Sequence, residues 1–282
     1  MKSAVLGLLA ETSLHPGVGQ VVGAVDLPVA REKSTGYPVI VASSLKGSLR
    51  DRAEHLWGVE NEKIGRIFGS PDNAGSILVT DARLLLLPVR SLQGHYKWVT
   101  CPYILERLQR DLQLAGMPAS FTVTHPENGE AVSSGGDEAL FLEELSFAVR
   151  AGGDGFTELI NVLKQFIRHD TLKERLPAGL VMISDGDFAY FARHGLAVNA
   201  RNVLDSETKT SKNLWYEESI PPDTLFYALL FARDKEGKDL DEMRAVFHDH
   251  PYLQLGGNET TGQGWCAVSW IAAGGEKYEA NS

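Results

Sequence analysis

An α+β fold with inserted segments is the architecture this chain predicts, on three observations. Strand-like and helix-like segments alternate along it without the regular rhythm of a parallel sheet. Its apolar runs, 4–10, 84–87 and 225–232, are short, and none approaches the roughly 20 residues a membrane-spanning helix needs. Of 282 residues 43% are hydrophobic, enough for a sizeable core in one large domain or two small ones.

The elements follow in order. Residues 4–12 read as a buried strand by their apolar run, and 14–32 as a loop punctuated by Pro16, Gly17, Gly19, Gly23 and Pro28. Ser43 or Ser44 caps a helix over 45–57, with Leu45, Leu49, Ala53 and Leu56 on one stripe. Residues 76–89 are strand-like. Helical spacing of Ile104, Leu105, Leu108 and Leu112 predicts a helix over 101–115. The polar stretch 118–136, rich in Gly, Ser and Pro, reads as a loop or insertion, and 140–149 as a strand. A helix over 156–172 turns Ile160, Leu163, Phe166 and Ile167 inward. Strands at 196–203 and 225–231 flank a polar stretch, 204–213, and a short helix covers 240–247. No internal repeat stands out.

A glycine-rich segment, Gly256-Gly257-Asn258-Glu259-Thr260-Thr261-Gly262-Gln263-Gly264, joins two apolar strand-like runs, 252–255 and 265–271. Its glycines permit positive φ and close approach, and successive N–H groups in such a turn suit a phosphate. It is not a Walker loop, since no Gly-Lys-Ser/Thr closes it. It is not a dinucleotide fingerprint either, since a strand-like run follows. A hairpin that only turns the chain is the plain alternative.

The net charge of −10 counts against free-standing nucleic-acid binding, because phosphate contacts need Lys and Arg. The charge segregates, however: Arg31, Lys33, Lys46, Arg50 and Arg52 cluster early, while 127–144 is acidic. Cys101 and Cys266 stand far apart and suggest neither a disulfide framework nor a zinc site. No signal peptide is read at the N-terminus, and a reducing cytoplasm is the expected setting.

Several residues invite chemistry. Asp26 sits in the loop between Val25 and Leu27, as a turn-making Asp or as a functional carboxylate. His15, in the same loop, suits a general acid or base, or a polar loop residue. Glu217 and Glu218 form an acidic pair beside Trp215-Tyr216, either in a metal environment or on a solvated turn. Ser44, Lys46 and Arg50 stand at the start of the first helix, where N–H groups and the dipole favour a phosphate. Arg201, Lys209 and Lys212 lie in a polar stretch that is either a protruding hairpin or a surface loop.

Four blocks carry a family resemblance: Leu14-His15-Pro16-Gly17; Val25-Asp26-Leu27-Pro28-Val29-Ala30-Arg31-Glu32; Thr35-Gly36-Tyr37-Pro38-Val39-Ile40; and Ser43-Ser44-Leu45-Lys46-Gly47-Ser48-Leu49-Arg50. In that order and spacing they resemble the repeated backbone subunit of type III-B CRISPR effector (Cmr) complexes. Leu214-Trp215-Tyr216-Glu217-Glu218 and Ile220-Pro221-Pro222-Asp223-Thr224-Leu225-Phe226 are similar to the same family, and the glycine-rich segment looks like the signature loop of its RAMP superfamily. The similarity runs over essentially the whole chain.

The resemblance implies a ferredoxin-like (RRM-type) core, with insertions forming palm, fingers and thumb. It implies a single domain over 1–282, a helical finger insertion near 90–175 and a thumb hairpin near 197–219. It implies an endoribonuclease that binds crRNA in stacked copies and cuts complementary target RNA at regular intervals. Asp26 is then the catalytic residue and metal ligand, with Mg²⁺ or Mn²⁺ as cofactor, and His15, Glu217 and Glu218 are further catalytic candidates. Ser44, Lys46, Arg50, Arg201, Lys209, Gly256, Gly257, Thr260, Thr261, Gly262 and Gly264 face RNA. Partners are crRNA, target RNA, other type III-B subunits and further copies of the chain, without a membrane. An inactive crRNA-binding scaffold, or a single-subunit crRNA-processing endoribonuclease, are the alternatives.

Overall fold

The computed structural model describes residues 1–20, 23–135 and 139–272. Parts of the expected loops at 14–32 and 118–136, part of the acidic 127–144 and the C-terminal stretch 273–282 lie outside the described residues.

At the centre is β1 (Ser3–Ala10), whose eight residues are all buried. It is followed by α1 (Ala42–Trp57), β2 (Ala82–Arg90), β3 (Leu225–Ala232), α2 (Lys238–Ala245) and β4 (Trp265–Ala272). The strands lie in the order β4-β1-β3-β2, each antiparallel to its neighbour. That is the ferredoxin-like β-α-β-β-α-β arrangement. The apolar run of β1 is continuous because strands flank it and both its faces are covered. One covering element is the 3₁₀ turn Lys164–Phe166, which packs so close that a Cβ on Gly7 would lie 2.3 Å from the Phe166 carbonyl oxygen.

Helix α1 buries Leu45, Leu49 and Ala53, while Leu56 is exposed, so the inward stripe ends one turn earlier than the spacing suggests. Neither serine caps it. Val41 is the N-cap, Ser43 and Ser44 lie inside the first turn, and the Ala42 N–H donates to Asp81 Oδ1 at 2.7 Å. A carboxylate from the turn before β2 thus supplies the acceptor a cap side chain would give.

The strand-like run 76–89 is two strands, Ile77–Val79 against β3 and then β2. Beyond β2 the same sheet continues through Tyr96–Thr100, Leu180–Ile183, Glu130–Ser133, Leu145–Ala151 and Ala139–Leu142, and beyond β4 through Tyr252–Gln254. The insertion is therefore strand as well as helix. Its helices are Pro102–Leu114, Gly153–Leu163, Asp170–Gly179 and Asp185–His194. Within the expected loop 118–136, Glu130–Ser133 is a strand because Ala131 and Val132 are buried. The expected strand 140–149 is a hairpin turning at Glu143, with φ 47°. The expected helix 156–172 is broken: Ile167 is extended between the 3₁₀ turn and the next helix, which lets Phe166 and Ile167 both reach the core.

A separate two-stranded hairpin, Ala197–Leu204 with Ser211–Ser219, projects from the sheet with most residues exposed. Cys101 and Cys266 are buried free thiols, and burial pushes Cys266 up to about 12. Among the described residues no helix is long and apolar enough to cross a membrane.

Two glycines test the packing in opposite directions. Gly7→Ala should lower unfolding free energy by roughly 1–3 kcal/mol, because backbone blocks the new methyl. Gly65→Ala, in the helix Glu62–Phe68 with open space around it, should raise stability by up to about 1 kcal/mol. Urea denaturation of the two variants beside the wild type reads both signs.

Candidate active site and RNA-facing clefts

The loop after β1 has little regular structure, so its polar backbone groups are satisfied elsewhere. They find the base of the projecting hairpin. Leu14 and Ile220 exchange N–H···O bonds at 3.0 and 2.8 Å. The Leu27 N–H donates to the Tyr216 carbonyl at 3.1 Å, and the Glu218 N–H to the Leu27 carbonyl at 3.0 Å. Between these contacts Asp26 is partly buried, and its Oδ2 accepts the Tyr216 N–H at 2.8 Å. Among the described residues its Oδ1 has no partner. A carboxylate held by one oxygen and open at the other is placed to accept a hydrogen bond from a bound hydroxyl.

Glu217 and Glu218 are both buried, so they are not a solvated turn. As successive strand residues they point to opposite faces. Glu218 turns toward the loop: Oε1 meets Arg31 Nη2 at 2.5 Å, and Oε2 accepts the Val29 N–H at 3.0 Å. Glu217 turns toward the glycine-rich segment: its Oε1 accepts from Asn258 Nδ2 at 2.6 Å and Arg201 Nη2 at 3.2 Å. Their carboxylates are engaged by cationic and amide donors, which gives both a structural role at the hairpin base.

His15 is buried, and its Nδ1 donates to the Glu218 carbonyl at 2.7 Å. Its own carbonyl accepts the Gly17 and Gly257 N–H groups at 3.0 and 2.9 Å. The side chain thus lies under the loop, joining it to the hairpin base.

The glycine-rich segment is a hairpin turn between Tyr252–Gln254 and β4, with a 3₁₀ turn at Glu259–Thr261. The N–H groups of Gly257, Thr261, Gly262, Gln263 and Gly264 donate to carbonyls of the protein itself, so those donors do not form a phosphate cradle. The glycines serve close approach instead. A Cβ on Gly256 would lie 2.5 Å from the His15 carbonyl oxygen, and one on Gly264 2.2 Å from that of Leu255. Thr260, Thr261 and Gly262 are exposed at the turn.

Helix α1 divides its expected RNA contacts between two clefts. Ser44 faces one cleft with Arg52, Gly256 and Gly257. Lys46 and Arg50 face another, with Ser43, Gly69 and Arg233. Arg50 is partly occupied by Glu54 at 2.7 Å and the Gly69 carbonyl at 3.1 Å, while Lys46 has no ion pair among the described residues. On the hairpin, Lys209 is exposed at the tip with φ 57°. Lys212 pairs with Asp205 at 2.7 Å, and that ammonium, with the Thr208 and Glu207 N–H groups, holds the Asp205 carboxyl well below its usual range.

For Mg²⁺ or Mn²⁺, Asp26 Oδ1 and Oε2 of the buried Glu217 have no partner among the described residues, while both oxygens of Glu218 are taken. Among the described residues no three His, Cys, Asp or Glu side chains gather as ligands. This donor set does not fit a resident cation held by the chain alone. Arg31, Tyr216 and Asn258, which organise the site, were not singled out from sequence as its members. Their partners lie far along the chain, and only the left-handed φ of 64° at Asn258, a residue type tolerant of it, left a local trace.

Comparison with known proteins gives the family. Residues 8–267 match the RAMP superfamily. The chain is 38% identical over 285 residues to the CRISPR system Cmr endoribonuclease Cmr4 of Pyrococcus furiosus, covering 95% of this chain and 96% of that one. A crystal structure of oligomeric Cmr4 from the same organism superposes with a TM-score of 0.78 at 34% identity, covering 98% of this chain and all of that chain (100%). A subunit of a type III-B Cmr-beta complex bound to cognate target RNA shares the fold, with a TM-score of 0.74 at 22% identity over 95% of this chain and 96% of that one. The chain belongs to the RAMP superfamily and, within it, to the Cmr4 family.

Proposed function

We propose that this chain is the repeated backbone subunit of a type III-B CRISPR effector. Copies stack along the guide region of a crRNA, and each brings one Asp26 to the paired target RNA, which is cut at regular intervals. Guide pairing selects the sequence, and the protein reads backbone shape. Support comes from a 38% identical relative named as the Cmr endoribonuclease, and from a relative crystallised as an oligomer.

The observation that carries the reading is Asp26 itself, fixed by the Tyr216 N–H through one oxygen and open at the other, at the root of the hairpin. The open oxygen accepts the hydrogen of the 2′-hydroxyl and orients that oxygen toward the adjacent phosphorus. The hairpin wedges into the guide–target duplex and bends the target strand there, which lets the 2′-oxygen approach in line. Unstacking costs a few kcal/mol, supplied by the remaining backbone contacts. One hairpin and one Asp26 per copy make the cuts follow the protein repeat.

The scaffold reading also has an observation in its favour, because Asp26 caps a backbone N–H. Asp26→Asn separates the two. The amide oxygen still accepts from Tyr216, while the NH₂ that replaces the open oxygen cannot accept a proton. Assembly and target binding should persist, with cleavage falling by roughly 10²-fold or more. A 2′-deoxy substitution at one scissile position should abolish that cut and spare the others. Unchanged cutting in Asp26→Asn assigns Asp26 to structure.

A cation shared between Asp26 and RNA phosphate oxygens belongs to the same proposal. Loss of cutting in EDTA, restored by Mn²⁺, supports it; an unchanged rate in EDTA refutes it. Lys46→Ala should weaken guide retention and lower the slope of log K against log salt by about one, as for one lost phosphate contact. An equal slope would make Lys46 a solvated lysine.

A further inference from the structure

The turn at 31–38, behind the Asp26 loop, rests on the insertion rather than on the ferredoxin-like core alone. Arg107, on the insertion helix Pro102–Leu114, places Nη1 against both carboxylate oxygens of Glu32 at 2.8 and 2.9 Å. Arg193, near the end of the insertion helix Asp185–His194, donates to the Thr35 carbonyl from Nε at 3.0 Å and Nη2 at 2.6 Å. Gly36, at φ +76°, lies so close that a Cβ there would meet Arg193 Nε at 2.8 Å.

Arg31 closes the arrangement from the other side. Its Nη1 donates to the Gly36 carbonyl at 2.8 Å and to the Ala192 carbonyl of the insertion helix at 2.6 Å. Its Nη2 donates to Glu218 at 2.5 Å. One guanidinium thereby joins the turn, the insertion helix and the hairpin base. From Glu218 the path to the reacting carboxylate is short. Glu218 Oε2 holds the Val29 N–H, its N–H holds the Leu27 carbonyl, and the next residue but one back, Tyr216, holds Asp26.

We infer that Arg31 is a positioning residue for RNA cleavage: it fixes the hairpin base against the insertion and thereby sets where Asp26 points. The inference rests on Asp26 being the cleaving carboxylate. Arg31 does not touch RNA in this role. A misplacement of about 1 Å at the reacting group suffices to cost on the order of 10²-fold in rate. Lysine does not substitute, because a single ammonium lacks the planar fork that reaches Glu218 and two carbonyls at once.

The test is single-turnover cleavage of a labelled complementary RNA by the reconstituted, guide-loaded complex, in wild-type, Arg31→Lys, Arg193→Lys and Asp26→Asn forms. Arg31→Lys should lower the maximal rate on the order of tenfold to a hundredfold. Guide content and the half-saturating concentration should be unchanged. Arg193→Lys, which loosens the same turn but leaves Arg31 in place, should give a smaller loss of the same kind. It carries the test if Arg31→Lys does not assemble, and a wild-type maximal rate in it would then overturn the inference. A merely structural Arg31 predicts fewer complexes, each cutting at the wild-type rate; that result overturns the inference too. If the wild type cuts, Asp26→Asn does not and Arg31→Lys matches the wild type, Arg31 alone is refuted. If the wild type leaves the target whole, the reading of Asp26 falls and the inference with it.

Discussion

The site is organised by one buried carboxylate. Glu218 is withdrawn from water, and a charge so placed is tolerated only when paired and hydrogen-bonded, since leaving it unpaired costs several kcal/mol. Every polar atom of the residue is in use: the N–H on Leu27, the carbonyl on His15, Oε1 on Arg31 and Oε2 on the Val29 N–H. Four contacts from one strand position leave the loop carrying Asp26 a single way to lie on the hairpin base. The loop needs no regular structure of its own, because the hairpin supplies the hydrogen bonds a sheet partner would.

The neighbouring carboxylate acts in the same way on the opposite face. Glu217 joins Arg201 of the hairpin to Asn258 of the glycine-rich turn. That turn in turn reaches the His15 carbonyl through Gly257 and packs on it at Gly256. Loop, hairpin and glycine-rich turn therefore meet around two successive glutamates and a buried histidine. A side chain at Gly256 would push the turn off His15, and His15 holds the Glu218 carbonyl, so the steric demand for glycine there propagates to the placement of Asp26.

How much of this could be read in the sequence depends on how local each signal is. Strand β1 was legible because eight buried residues in a row leave an apolar run, and α1 because Leu45, Leu49 and Ala53 repeat at helical spacing. The glycine-rich turn was legible as a hairpin. The strand Glu130–Ser133 was not, because only Ala131 and Val132 in it are apolar and the surrounding stretch is polar. The break after Leu163 was hidden because Phe166 and Ile167 keep a pattern that also fits a continued helix. At the site, Asp26 stood out by its family motif. The pairing of Glu218 with Arg31 spans 187 positions and leaves no periodic trace, so the acidic pair read as ligands or as a solvated turn. The division of Ser44 from Lys46 between two clefts was hidden as well, since 250–265 lie opposite Ser44 whereas 68–79 and Arg233 lie opposite Lys46.

The overall charge is reconciled with RNA binding by where the acids fall. Residues 118–194 hold 12 Asp and Glu against 6 Lys and Arg, a net −6 of the chain's −10. The strands of this stretch lie on the β2 side of the sheet, its 3₁₀ turn Lys164–Phe166 packs on β1 and β4, and α1 packs against both Tyr252–Gln254 and Ile77–Val79. At the hairpin base the two glutamates that lower the local count are already neutralised by Arg31 and Arg201. Among the described residues at the hairpin base Asp26 is the carboxylate left without a cationic partner, and a single negative group beside a polyanion is tolerated where backbone contacts elsewhere hold the strand in place.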